Sequence, residues 1–168
     1  MSVAIDKRGL GMASATDFVS ASGYDVAPIS DEERAELALD LNAEERHVIL
    51  RHGTEAPFCG TLLNNKSSGT YVCRLCALPL FKAGAKFESG TGWPSFTEPF
   101  DPDHIRDISD TSHGMVRTEV RCARCDGHLG HVFPDGPPPA GLRYCLNSIS
   151  LTFVPEGESL PRRLQDRA

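Results

Sequence analysis

The rhythm of polar and apolar positions changes near residue 58. Before it, two stretches read as short helices. Ser30 and Glu33 make a capping-box pair ahead of "ERAELALD", and Asn42 and Glu45 make a second ahead of "RHVILRH". Leu37, Leu41, Val48 and Ile49 give these helices an apolar stripe, and Gly53 supplies a C-terminal stop. After Phe58, Gly and Pro interrupt every few residues. Apolar positions alternate in "GTYVC", "GMVRTEVRC" and "SISLTFV", as in strands with one buried face. "PDGPPPAG" can be neither helix nor central strand. The pattern predicts a mainly β (α+β) domain over residues 29–157, with short N-terminal helices followed by antiparallel sheet. Residues 1–28, rich in Ser, Ala and Gly without periodicity, read as a flexible tail, and 158–168 as an exposed C-terminal tail.

Composition narrows the class. A chain of 168 residues suits one domain, large enough for a real core. Its net charge of −6 argues against nucleic-acid binding, which needs clustered Lys and Arg. There is no signal-peptide h-region and no apolar run long enough to span a bilayer. The expectation is a cytoplasmic protein with no membrane partner, in a reducing compartment where spaced cysteine pairs bind metal or do redox work.

Four of the six cysteines form two such pairs, Cys73 and Cys76 in "CRLC" and Cys122 and Cys125 in "CARC". Each pair ends an expected strand, with Leu80 and Leu129 four residues after its second cysteine. Two facing turns of this kind supply four sulfurs to one tetrahedral zinc. Two disulfides or two redox centres are the alternatives. The lack of a secretion signal weighs against the first, and the lack of a strand-to-helix context against the second. Four thiolates leave no open position, so the zinc would be structural.

Cys145, in "GLRYCLNSISLTF", stands alone. On a strand, period two places Arg143, Cys145, Asn147, Ile149, Leu151 and Phe153 on one face, with the thiol between a guanidinium and an amide. A neighbouring positive charge favours the reactive thiolate, although a lone cysteine is more often a small buried hydrophobe. His128 and His131 follow the second cysteine pair and could exchange a proton near neutral pH, or could bind metal. Trp93 lies in "GTGWPSF", between Gly and Pro, as an aromatic platform for a small apolar group or as a core residue.

Together "CRLC", "FESGTGWPSF", "RTEVRCARCDGHLGHVFPDGP" and "GLRYCLNSISLTF" resemble the methionine-R-sulfoxide reductase family, B type, over roughly residues 40–154. The resemblance implies two antiparallel sheets in a tent-like arrangement, with a four-cysteine zinc site away from the active site. It implies Cys145 as the nucleophile and Trp93 as the wall of the S-methyl pocket. His131, with His128, and Asn147 would position the sulfoxide and assist proton transfer, and Arg143 would belong to the family's "RYC" motif. The implied reaction reduces the R epimer of methionine sulfoxide, free or in proteins, through a Cys145 sulfenic acid, with thioredoxin as reductant. Many relatives carry the recycling cysteine where this chain has Thr91. Cys59 is the unpaired alternative, which implies a Cys59–Cys145 disulfide. The competing reading is a non-catalytic, zinc-stabilised binding module on the same scaffold. A zinc deaminase is excluded because its His-x-Glu and Pro-Cys-x-x-Cys signature is missing.

Overall fold

The computed structural model describes residues 18–160. Both expected helices form, α1 over Asp31–Ala38 and α2 over Ala43–Ile49, and both capping boxes close reciprocally. Asn42 accepts from the Glu45 amide at 2.8 Å, while the Glu45 carboxylate accepts from the Asn42 amide at 3.0 Å. Leu41, Val48 and Ile49 are buried, so the apolar stripe does face the core. The stop after α2 differs in detail. His52, not Gly53, takes the left-handed conformation (φ 59°), and the Gly53 amide donates to the His47 carbonyl at 3.0 Å.

Among the described residues, nine strands follow in two antiparallel sheets. The smaller sheet has the order β2–β1–β9, from Pro79–Lys82, Gly69–Cys73 and Leu151–Pro155. The larger has the order β3–β4–β8–β7–β6–β5. Its strands are Lys86–Phe87, Ser95–Phe96, Arg143–Leu146, His128–Phe133, Arg117–Cys122 and Ile105–Asp110. Tyr71, Phe81, Phe96, Leu129 and Leu146, from both sheets, fill one common core. Phe81 stacks on Phe96 at 4.6 Å between ring centroids, and Tyr71 meets Phe96 edge-on at 5.1 Å.

Two expectations need correction. Residues 143–153 do not form one strand. Arg143–Leu146 belong to the larger sheet and Leu151–Pro155 to the smaller, with a 3-10 turn over Ser148–Ser150 between them. The break falls at Asn147, whose backbone and side-chain N–H groups both donate to the Leu129 carbonyl, at 2.9 and 3.0 Å. Those two bonds replace continued ladder pairing. The tail expected over 1–28 also fails to extend through residues 18–28. Ser20 is buried and bonds His104 Nε2 at 2.8 Å, Ser22 bonds Asp101, and the Ile29 amide donates to the Arg124 carbonyl at 3.0 Å. Burial of these polar contacts fastens the segment to the domain. Residues 1–17 and 161–168 lie outside the described residues.

Candidate active site and metal centre

The two cysteine pairs are built alike. Cys73 and Cys122 each end a strand, β1 and β6, and each is followed by a turn of the same hydrogen-bond pattern. The Ala77 amide donates to the Cys73 carbonyl and the Asp126 amide to the Cys122 carbonyl, both at 2.9 Å. The strand-end amides reciprocate, Cys73 to Leu78 at 2.8 Å and Cys122 to Gly127 at 3.0 Å. Ala77 and Asp126 take matching left-handed conformations, φ 66° and 60°. All four sulfurs lie within 4.8 Å of one another and are buried. Zinc with Zn–S bonds of about 2.3 Å needs sulfurs about 3.8 Å apart at the corners of a tetrahedron, and the quartet fits that shape. Cys73 and Cys125 approach to 3.5 Å, as do Cys76 and Cys122. The Arg124 guanidinium, which donates to the Cys76 carbonyl at 2.6 Å, supplies positive charge beside the quartet.

Across the larger sheet, Cys145 on β8 is the direct partner of His131 on β7 and of Ser95 on β4. Direct partners project to the same face, so these side chains converge. The pairing of β7 with β8 is close enough that a Cβ on Gly130 would sit 2.0 Å from the Cys145 carbonyl oxygen, which excludes any side chain there. A cleft of about 110 Å³ opens on this face, lined by Cys145, His131, Trp93, Asn147 and Thr54, with Arg117 and Phe133 at its margin. Cys145 and Trp93 are half-buried, and Asn147 is buried.

The segment from Thr54 to Gly60 closes one side of the cleft. The Trp93 indole N–H donates to the Glu55 carbonyl at 3.0 Å, and the Glu55 amide donates to Asn147 Oδ1 at 3.0 Å. The Phe58 amide donates to the Gly92 carbonyl at 2.8 Å. A Cβ on Gly92 would meet Pro57 Cβ at 2.8 Å, so the segment seats there only against glycine. The Glu55 carboxyl is buried and its pKa is raised by that burial, with opposition from the Ile149 and Ser148 amides. Cys59, on the same segment, is exposed, and both it and Cys145 are free thiols.

Electrostatics divide the sequence-predicted residues. Burial raises the Cys145 pKa, while Thr91 and the Arg143 guanidinium pull it down. Arg143 also grips Asp135 with two bonds, at 2.9 and 3.1 Å, and lies over the Phe133 ring at 4.5 Å. His131 Nε2 sits 2.7 Å from Asp110 Oδ2, and Ser112 together with His131 holds that carboxylate well below its usual range. His128 does not line the cleft. It is buried behind His131, with Nδ1 2.6 Å from Glu119 Oε2. Sequence reasoning missed Glu55, Asp110, Glu119 and Asp135, none of which carries a local motif.

A family model described as the SelR domain matches residues 41–155. The chain is 63% identical over 141 residues to a peptide methionine sulfoxide reductase MsrB from Xylella fastidiosa, covering 84% of this chain and 91% of that protein. It is 62% identical over 143 residues to the protein of the same name from Caulobacter vibrioides, covering 85% and 90%. The corresponding protein of Escherichia coli is 55% identical over 124 residues, covering 74% and 90%.

Proposed function

The chain belongs to the SelR-domain family and is an oxidoreductase of the peptide methionine sulfoxide reductase type. From that premise we propose that it reduces the R epimer of methionine sulfoxide, with Cys145 as nucleophile. The observation that supports this most is the convergence of Cys145, His131, Trp93 and Asn147 on one cleft, from three separate stretches of chain. The Trp93 face receives the S-methyl group. Asn147 is held by the Glu55 amide and the Leu129 carbonyl as a fixed wall. His131 is the imidazole among the residues lining the cleft, and it faces the thiol directly from β7.

In the first step the Cys145 thiolate attacks the sulfoxide sulfur while His131 protonates the oxygen. The oxygen then passes from the substrate sulfur to Sγ as the new sulfur–sulfur bond breaks, so that methionine leaves and Cys145 becomes a sulfenic acid. In the second step the Cys59 thiol attacks the Cys145 sulfur, its proton leaves with the oxygen as water, and a disulfide forms. An external dithiol, thioredoxin in our reading, then reduces that disulfide by exchange. A disulfide needs its Cα atoms within about 7 Å, so the Thr54–Gly60 segment must bring Cys59 to that distance from Cys145. Arg143 lowers the thiol pKa, and His128 orients the strand behind His131 through Glu119. Zinc is the metal whose chemistry suits four thiolates. It would hold the fold and take no part in the reaction.

Single-turnover mass spectrometry tests this reading. With the R sulfoxide, a Cys59–Cys145 crosslink is expected in the native chain and a Cys145 sulfenic acid in Cys59→Ser. Turnover retained by Cys145→Ser would overturn the assignment of the nucleophile, and a stable sulfenic acid in the native chain would overturn that of Cys59.

A further inference from the structure

Behind the cleft, the loop between β3 and β4 and the first residue of β4 together carry three hydroxyls in series. Thr91 Oγ1 lies 4.0 Å from Cys145 Sγ, within reach of a hydrogen bond to sulfur. Ser89 Oγ lies 2.8 Å from Thr91 Oγ1 and 2.7 Å from Ser95 Oγ. Ser95 Oγ in turn donates to the Trp93 carbonyl at 3.2 Å. We propose that Thr91, with Ser89 and Ser95 behind it, forms a reversible hydroxyl relay that delivers a hydrogen bond to the ionised sulfur of Cys145. The proposal rests on the reading of Cys145 as the nucleophile and extends the machinery that activates it.

The argument is one of proton counting. Each hydroxyl has one hydrogen to give, so the direction of one bond sets the direction of the next. While Cys145 is a thiol, its S–H donates to Thr91, Thr91 to Ser89, Ser89 to Ser95, and Ser95 to the Trp93 carbonyl. Every hydrogen then has an acceptor. When Cys145 ionises, its sulfur becomes an acceptor and all three hydroxyls turn over: Ser95 donates to Ser89, Ser89 to Thr91, and Thr91 to the sulfur. The only bond lost is the one to the Trp93 carbonyl. The Thr91 amide, which donates to Ser89 Oγ at 3.4 Å, is satisfied in both directions. Ser95 is 1% exposed, so its end of the chain turns without competition from bulk water.

The relay answers a need at this site. Burial of Cys145 penalises its thiolate, and the charged groups facing the sulfur come from one side. They are Arg143 with its partner Asp135 on the Cys145 strand side, His131 backed by Asp110 from β7, and Arg117 from β6. Arg143 is already engaged in two bonds to Asp135. From the β4 side the described residues present the hydroxyl chain. Thr91 touches the reacting atom and is a catalytic residue in this scheme. Ser89 and Ser95 act through it and are positioning residues.

The test is the pH dependence of Cys145 alkylation by iodoacetamide in a Cys59→Ser background, with the site identified by mass spectrometry. Thr91→Val is expected to raise the apparent pKa of Cys145 by about one unit, the effect of losing one hydrogen bond to a charged group. Ser89→Ala, which removes no contact to sulfur, leaves Thr91 free to donate to the sulfur and spares the Ser95 bond to the Trp93 carbonyl on ionisation, so it is expected to shift the pKa in the opposite direction. The double variant should match Thr91→Val alone, since the two act in series, and Thr91→Ser should restore the parent profile. A Ser89→Ala profile identical to the parent, or two shifts that add, would overturn the relay. If Thr91→Val fails to fold, the comparison of Ser89→Ala with the parent still decides. These pKa values do not depend on turnover, so failure of the relay stays distinct from failure of the nucleophile assignment.

Discussion

At Glu119 a single buried carboxylate serves three partners. Arg121 Nε donates to one oxygen at 2.9 Å, and His52 Nδ1 and His128 Nδ1 lie 2.7 and 2.6 Å from the other. Burial alone would raise its pKa, but the bonds to Arg121, His52 and His128 outweigh burial and bring it from 4.5 to about 2. A carboxylate with a depressed pKa stabilises the fold above its unfolded value and loses that contribution as pH falls through the folded one. Glu119 is therefore expected to contribute about 3 kcal/mol near neutral pH, a contribution that fades between pH 4.5 and about 2. Thermal melts across that range should show the loss in the native chain. Glu119→Gln should be less stable at neutral pH and should lack this part of the acid dependence. Cys145, His131, Trp93 and Asn147 are legible in the sequence because their side-chain types and flanking motifs declare a chemistry. Their supports are not. Asp110 lies 21 positions from His131, and Glu55 lies 38 from Trp93, so only the folded chain brings each to its partner.

Among the elements, the stretch around Asn147 carries the most consequence. The period-two pattern runs unbroken from Arg143 to Phe153, and the segment still breaks in the middle. The cause is tertiary: the Leu129 carbonyl and the Glu55 amide claim Asn147 and turn the chain from one sheet into the other. Asn147→Ala leaves the Glu55 amide without its acceptor in a buried setting, which costs about 2 kcal/mol. We expect a lower urea midpoint together with a fall in kcat/KM, because the same bond sets the cleft wall. Where tertiary demand and local pattern agree, the reading of the sequence matches the fold closely. "GTYVC" coincides with β1, and both capping boxes begin the helices they announce. The N-terminal residues 18–28 escaped prediction because polar bonds hold them, through Ser20 and Ser22, with little apolar periodicity.

For the molecule as a whole, the cysteine quartet joins the two sheets. Cys73 ends β1 of the smaller sheet and Cys122 ends β6 of the larger, with their partners in the turns just beyond. A metal bound there would crosslink the two sheets, which also share the apolar core. Extraction of the metal, by chelator or by a thiol-reactive mercurial, is therefore expected to lower the melting temperature of the entire domain and not of one sheet. Cys76→Ser should do the same and lose stoichiometric metal by elemental analysis. A melt unchanged by metal removal would show that the core alone suffices.

The burial of the thiols also sets an order of damage. Cys59 is exposed and Cys145 half-buried, while the other four are sealed from solvent. Peroxide attacks sulfur according to access and ionisation. In a burst of oxidant, the first thiols consumed are expected to be these two, which in the proposed cycle an external dithiol regenerates, and isotope-coded alkylation should find them modified while the quartet stays intact. On that cycle the protein would spend its renewable thiols first and keep its permanent fastening for last.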